Sequence, residues 1–436
     1  MKAKRKPATF RWSPFSNKQI KVLTWWMEES PHHEKDALIA DGSVRAGKTV
    51  AMSFSYIVWA TETFNGEQFG MAGKTIGALR RNVVGPLKRM LTSRGYRVHD
   101  NLTENVLTIS RGLITNYFFL FGGKDERSQD LIQGITLAGM FFDEVALMPQ
   151  SFVNQATARC SVEGRKFWFN CNPAGPYHWF KVEWLDQIER KNALHLHFTM
   201  DDNLSLSEKI KEGYRRMYSG IFYKRYILGL WVLAEGVIYD MFNESIHRVP
   251  SQKMPQSFEH YYVGVDYGNT NATVFLLVGE HAGKLYVIKE YYHDGRTAMV
   301  QKAPSEYARD FISFIADVAV SKIFIDPSAK GFITELKKAG VRYIAEADNE
   351  VLAGISAVAS ALSEKLLFIA NSCLNTLKEF SSYVWDIKAQ DRGEDKPLKQ
   401  HDHAMDALRY VVYMLFGKIT KPVGYGIQAD ITSVFD

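Results

Sequence analysis

Cysteine is scarce in this 436-residue sequence. There are three, Cys160, Cys171 and Cys373, and none is paired with another by a close spacing. That excludes a disulfide framework and a cysteine zinc site, and it suits a reducing compartment. Long apolar runs are lacking too: none could span a bilayer, so no membrane association is expected. The start, "MKAKRKPATFRW", is basic but has no apolar core behind it, so no secretory signal is expected. Internal repeats and low-complexity tracts are absent. Net charge is only +5, yet it is unevenly spread: the first 27 residues carry seven bases and no acid. Such a stretch is either a solvated arm or a contact for a polyanion, held by phosphate attraction and counterion release.

What is present fits a globular chain with real cores, at 46% hydrophobic and 23% charged residues. The length predicts two or three domains. The front half alternates strand-like and helix-like runs, the mark of a parallel α/β sheet. Strands are expected at 37–40, 69–73, 116–123, 137–144, 166–170 and 194–200, because buried parallel strands are nearly continuous apolar runs. After residue 257 the pattern changes to three strands with short turns (261–268, 273–279, 284–292), an antiparallel meander. Helix, strand (322–326), helix, strand and further helices follow.

The segment "GSVRAGKT" (42–49) fits G-x-x-x-x-G-K-[ST] in full, with an apolar strand before it and a helix-like run after it. Gly42 and Gly47 let backbone N–H groups wrap a phosphate, Lys48 would reach the β/γ-phosphates of ATP, and Thr49 would hold Mg²⁺. A second carboxylate is needed at the end of a neighbouring strand. "LAGMFFDE" offers Asp143 for the ion and Glu144 to orient and deprotonate the attacking water, unless the two acids only cap the strand. "FWFNCNPAG" offers Asn170 and Asn172, as γ-phosphate sensors or as plain turn residues. Gln19 would read adenine, or is simply solvated. An arginine for the γ-phosphate is open among Arg45, Arg80, Arg81, Arg159 and Arg165.

In the back half, Asp266 is placed in mid-strand beside Gly264, a costly position unless the acid is paired or metal-bound. Asp326 ends the strand at 322–326. His403 and Asp406 share one face at the head of the last helix, and Asp402 suits either that face or the N-cap. Ala404, Leu408, Val411, Val412 and Leu415 form its buried stripe. An Asp on the first meander strand, a second ending a later strand and a third on a helix are laid out as in an RNase H-like nuclease. Three such carboxylates suit two Mg²⁺ or Mn²⁺ ions. Helix caps and surface charge are the plain alternative for each acid taken singly. The charged loop 388–400 is expected to be mobile and to lie beside this site.

A P-loop ATPase followed by an RNase H-like unit resembles the large terminase subunit of tailed bacteriophages and prophages. The resemblance is carried by "GSVRAGKT", "MFFDE", "NCNPAG", "DDNLS" (201–205), "GLWVLAEGVIYD" and the set Asp266, Asp326, "HAMDALRY". It implies an α/β fold with an ASCE-type ATPase domain over 1–228, a connector over 229–256, an RNase H-like nuclease domain over 257–418 and a C-terminal tail over 419–436. It also implies ATP-driven translocation of double-stranded DNA into a procapsid, and cutting of concatemeric DNA at the start and end of packaging. The implied setting is the host bacterial cytoplasm. The implied partners are a portal protein, a small terminase subunit and other copies of the chain in a homo-pentamer. A helicase or recombination protein with an attached resolvase-like nuclease is the other reading, as is a mechanical translocase with an inactive nuclease fold.

Overall fold

Strand β1 (Ala37–Gly42) is buried along its whole length, because both of its faces are covered. Leu38 and Ala40 point into one apolar cluster, Ala37 and Ile39 into another. Strand periodicity puts alternate side chains on opposite faces, so an all-apolar strand needs two cores. In this computed structural model, residues 12–268, 271–294, 302–400 and 402–417 are described. Residues 1–11 of the basic arm and the expected tail 419–436 lie outside them.

The first sheet has eight strands: β1, β2 (Gln68–Gly73), β3 (Arg97–Asn101), β4 (Val106–Arg111), β5 (Ile114–Gly122), β6 (Gly139–Phe142), β7 (Lys166–Asn170) and β8 (Ala193–Phe198). Their order is β3-β4-β5-β2-β6-β7-β1-β8. The six strands from β5 to β8 are parallel, as expected. The antiparallel pairs β3–β4 and β4–β5 were not anticipated. "RVHDN" and "VLTISR" lack the apolar run of a central strand, since they are the half-exposed outermost strand and its neighbour. The order has a consequence for chemistry. β7 lies between β1, which leads into 42–49, and β6, which leads into Asp143. Whatever ends β7 therefore stands between the two.

The second sheet is β9 (Arg248–Val249), β10 (His260–Asp266), β11 (Thr273–His281), β12 (Lys284–His293), β13 (Lys322–Ile325), β14 (Ile344–Glu346) and β15 (Leu367–Ala370), in the order β14-β13-β10-β11-β12-β15-β9. β10, β11 and β12 form the expected antiparallel meander. β13 runs parallel to β10 with Val265 opposite Ile325. Val263, Val265, Phe275, Phe311 and Phe332 build the core on one face.

Contacts divide the chain into two units. One runs to Tyr214 and takes in Tyr223–Leu233; the other takes in Arg215–Phe222 and the chain from Ala234. Among the described residues no helix is long and apolar enough to cross a membrane.

Candidate active sites

The 42–49 loop wraps tightly because three of its residues adopt left-handed backbone. These are Gly42 (φ 122°), Arg45 (φ 59°) and Gly47 (φ 82°). A Cβ on Gly42 would lie 1.9 Å from the Phe198 carbonyl oxygen, so only glycine fits there. The loop opens the helix Lys48–Thr63, whose first N–H groups carry the positive end of the helix dipole. Lys48 is buried and donates to the carbonyls of Gly42 (3.1 Å) and Ser43 (2.6 Å) and to Asn172 Oδ1 (3.1 Å). Burial lowers its pKa, and the neighbouring Glu144 opposes that.

The end of β7 ties the parts together. Asn170 Nδ2 donates to Asp143 Oδ1 (3.0 Å), and Asn170 Oδ1 accepts the backbone N–H of Glu144 (2.9 Å). Thr49 Oγ1 donates to the same Asp143 oxygen at 3.1 Å. A hydroxyl and a buried carboxylate so placed, beside a phosphate loop, are the donor set that fits Mg²⁺. Burial raises the pKa of Asp143, against the bonds from Asn170 and Thr49. Asn172 Nδ2 lies 3.1 Å from both carboxylate oxygens of Glu144. Burial, then the charge of Asp143, pushes the Glu144 carboxyl up to about 7. Its backbone is left-handed (φ 59°, ψ 51°), a conformation that a non-glycine residue keeps only where its surroundings enforce it.

Gln19 is buried rather than solvated. It closes a capping box with Ser16, and a Cβ on Gly47 would meet its amide nitrogen at 2.4 Å. A hollow beside the loop is lined by Gln19, Gly47, Trp12, Phe15, Val50 and Asn203. The aromatic pair was missed in the sequence. "DDNLS" acts as a strap: Asn203 donates to the Arg45 carbonyl (2.7 Å), and Asp202 holds Lys18 (2.9 Å). Of the five arginines, Arg45 sits on the loop itself and donates to the Tyr214 hydroxyl (2.7 Å), whereas Arg80 is spent on Asp100 (2.6 Å). Arg159 is not spent this way: its Nε is buried without a hydrogen-bond partner among the described residues.

In the second unit, Asp266 closes β10 rather than sitting in mid-strand, because the ladder with β11 ends at its pairing with Val274. Asp326 directly follows β13. The register that sets Val265 against Ile325 therefore brings the two acids to the same end of neighbouring parallel strands. The helix His403–Phe416 supplies the rest. A Cβ on Gly264 would lie 2.1 Å from the Ala407 carbonyl oxygen, so glycine is what lets this helix lie against β10. His403 Nδ1 is then 2.8 Å from Asp266 Oδ2. Burial, and after it the charge of Asp406, raises the Asp266 pKa, while His403 counters them. Tyr410 donates to Asp326 Oδ2 at 3.1 Å, and the charges of Asp406, Asp266 and Asp326 all act on its ring hydroxyl.

Asp406 accepts from Arg409 (3.0 Å) and from Lys399 (3.0 Å), and Lys399 also pairs with Asp402 (3.0 Å). Among the described residues, no three His, Cys, Asp or Glu side chains are drawn together tightly enough to enclose an ion. Asp266, Asp326 and Asp406, a row only in their order along the chain, are hard oxygen donors of the kind that suits Mg²⁺ or Mn²⁺.

Asp402 stands at the N-cap position, one of its two readings, but its side chain makes no capping hydrogen bond. Glu379 takes that role from another helix, its Oε2 accepting the N–H groups of Ala404 (2.8 Å) and Met405 (3.1 Å). Nothing in the sequence around Glu379 signals this, because the partner is 25 residues away. The loop 388–400 carries local structure that the sequence did not signal. It holds part of a short helix (Ile387–Gln390), a bridge from Pro397 to Trp385, and backbone bonds at Lys396 and Leu398. Through Lys399 it does lie beside the acids.

Two family models match the chain, "Terminase large subunit, T4likevirus-type, N-terminal" over residues 39–246 and "Terminase RNaseH-like domain" over 263–415. The large terminase of a thermophilic bacteriophage is 61% identical, with a TM-score of 0.89, over 93% of this chain and 100% of that one. The chain belongs to the large terminase family. Two further structures of the same thermophilic phage terminase hold nucleotides. One is in complex with ADP (60% identity, TM-score 0.87, 92% and 100% coverage), the other with ATP-γ-S (60%, 0.86, 92% and 99%). Comparison with curated proteins finds no match. The terminase is thus a DNA-packaging motor subunit with an ATPase domain and an RNase H-like nuclease domain. The helicase and recombinase reading falls away.

Proposed function

We propose that the terminase hydrolyses Mg²⁺-bound ATP at 42–49 and cuts double-stranded DNA at the row Asp266, Asp326 and Asp406. The observation that supports the ATPase assignment most directly is the chain of bonds Lys48–Asn172–Glu144 beside Thr49–Asp143. Lys48 and the loop N–H groups bind the β/γ-phosphates, and Thr49 and Asp143 hold the ion. Glu144, whose carboxyl burial and the charge of Asp143 push up to about 7, takes the proton of the attacking water. Asn172 touches both Lys48 and Glu144, so it registers whether a γ-phosphate lies between them. The Trp12–Phe15 hollow receives the adenine, with Gln19 at its edge. Arg45 is the arginine best placed for the γ-phosphate in the same chain.

In the nuclease, Asp266, Asp326 and Asp406 would hold two Mg²⁺ or Mn²⁺ ions, whose chemistry there would be activation of water and stabilisation of the leaving 3′-oxygen. His403 orients the Asp266 carboxylate. Lys399 balances the charge of Asp402 and Asp406. Phosphate contacts dominate such binding, so DNA selection falls to a small terminase subunit. The chain works as a homo-pentamer on the portal of a procapsid, in the host bacterial cytoplasm.

The test is a plasmid incubated with Mn²⁺ and no ATP. Wild type and Lys48→Ala cut it, while Asp266→Ala does not; ATP is hydrolysed by wild type and Asp266→Ala but not by Lys48→Ala. Wild type that binds DNA but never cuts would instead make the second unit an inactive scaffold.

A further inference from the structure

Asp41 stands immediately before the phosphate loop and is 2% exposed. Nothing in phosphate binding calls for an acid there, and burying one is costly unless it is paired. It is paired three times. His195 Nε2 (2.8 Å) and His197 Nδ1 (3.0 Å) meet Oδ1, and the Trp231 indole N–H donates to Oδ2 at 2.7 Å. Burial by itself would raise its pKa, but the bonds from His195 and His197 outweigh it and hold the carboxyl well below the usual carboxylate range.

Trp231 is not part of the sheet. It lies on the segment that runs to Leu233, where the chain passes into the second unit. That segment touches the loop at two further points. The Tyr226 carbonyl accepts the Val44 N–H (2.8 Å). Gly229 (φ 71°) packs so closely that a Cβ there would lie 3.0 Å from Gly42 Cα and 2.8 Å from the His197 ring. The segment is also closed on itself, by Leu230 N–H to the Lys224 carbonyl (3.0 Å) and by the Arg225 guanidinium to the Val232 carbonyl (2.6 Å). A π-helical turn, Tyr223–Ile227, precedes it, a form often found at functional sites.

We propose that Trp231 is a positioning residue of the ATPase: through Asp41 it clasps the mouth of the phosphate loop to the segment by which the chain leaves the first unit. Residues 226, 229 and 231 meet residues 44, 42 and 41 in turn, so the loop cannot shift around a phosphate without moving that segment. The clasp rests on the reading of 42–49 as the nucleotide site.

The experiment is hydrogen exchange on the full chain with and without ADP, with ADP affinity measured separately. In wild type, the peptide covering 224–233 exchanges several-fold more slowly once ADP binds. Trp231→Phe keeps the ring and loses the donor; it should abolish that response and lower kcat by roughly tenfold, the scale of one lost hydrogen bond to a charged group. KM for ATP and Mn²⁺-driven plasmid cutting should hold, which a general loss of structure would not allow. Failure of wild type to bind ADP would strike the nucleotide site itself. ADP binding with no change at 224–233 in wild type overturns the clasp alone, whether or not the variant folds. A wild-type response in Trp231→Phe overturns it too.

Discussion

Asn172 reaches both carboxylate oxygens of Glu144, at 3.1 Å each, while its own oxygen accepts from Lys48 at 3.1 Å. One amide therefore holds the base and the phosphate-binding cation in a single line. Glu144→Gln keeps the size and one acceptor but cannot take a proton, so hydrolysis should fall by roughly 10²–10⁴-fold. ATP binding should persist, as single-turnover and equilibrium-binding measurements would show. Turnover near wild type would reassign Glu144 to a structural role.

Asn172→Ala separates the sensor from the base. Glu144 keeps its carboxylate but loses the partner that aims it, so kcat should fall with little change in KM for ATP. Asn170→Ala should be worse for stability as well, because Asn170 is fully buried and its amide satisfies both the Asp143 carboxylate and the Glu144 N–H. Thermal melts of the two variants, alongside ATPase assays, check the contrast.

Gly264→Ala tests the seat of the nuclease helix. The added methyl would meet the Ala407 carbonyl oxygen at 2.1 Å, against backbone that has no rotamer to escape into. Overpacking of this kind costs roughly 1–3 kcal/mol. It should also lift His403 and Asp406 away from Asp266, abolishing plasmid cutting. ATPase activity should survive. A variant that cuts normally would show that the helix can shift without cost to the site.

These predictions draw unevenly on the sequence. The phosphate loop, Asp143, Glu144 and the meander were legible because each combines a fixed spacing with an apolar strand beside it. That Asp266, Asp326 and Asp406 belong to one neighbourhood could be guessed from their order, but not the close approach of the last helix to β10, which depends on Gly264. Asp41, Trp231 and Glu379 left no local signal. Each works through a partner far along the chain, and a buried acid looks the same in a sequence as an exposed one. The edge strand β3 and its neighbour β4 were lost for the opposite reason: half-exposed strands carry too few apolar residues to stand out.

Glu379 gives a pH-dependent expectation. Burial pushes its carboxyl up to about 7, against the bonds from Tyr292 and from the N–H groups of Met405 and Ala404. The native state thus binds its proton more tightly than the unfolded chain, whose Glu titrates near 4.5. Stability from this group is complete below that value and is lost as pH rises through about 7. Glu379→Gln removes the titration. The melting temperature of wild type relative to Glu379→Gln should therefore decline between pH 5 and pH 8. A constant difference would mean that Glu379 stays ionised throughout.

Asp266 and His403 carry the last expectation. Their 2.8 Å contact orients a carboxylate that the neighbouring Asp406 repels. Asp266→Asn relieves that repulsion at equal size, so the protein should melt at or above the wild-type temperature. It should still lose plasmid cutting, because an amide is a poor ligand for a hard divalent ion. His403→Ala leaves every carboxylate in place and frees Asp266 to turn, so it should slow cutting less than Asp266→Asn does. Calorimetric titration with Mn²⁺ separates the two: binding should weaken in His403→Ala and drop far further in Asp266→Asn. Equal Mn²⁺ binding in Asp266→Asn and wild type would remove Asp266 from the metal site, and with it the reason for His403 to stand beside it.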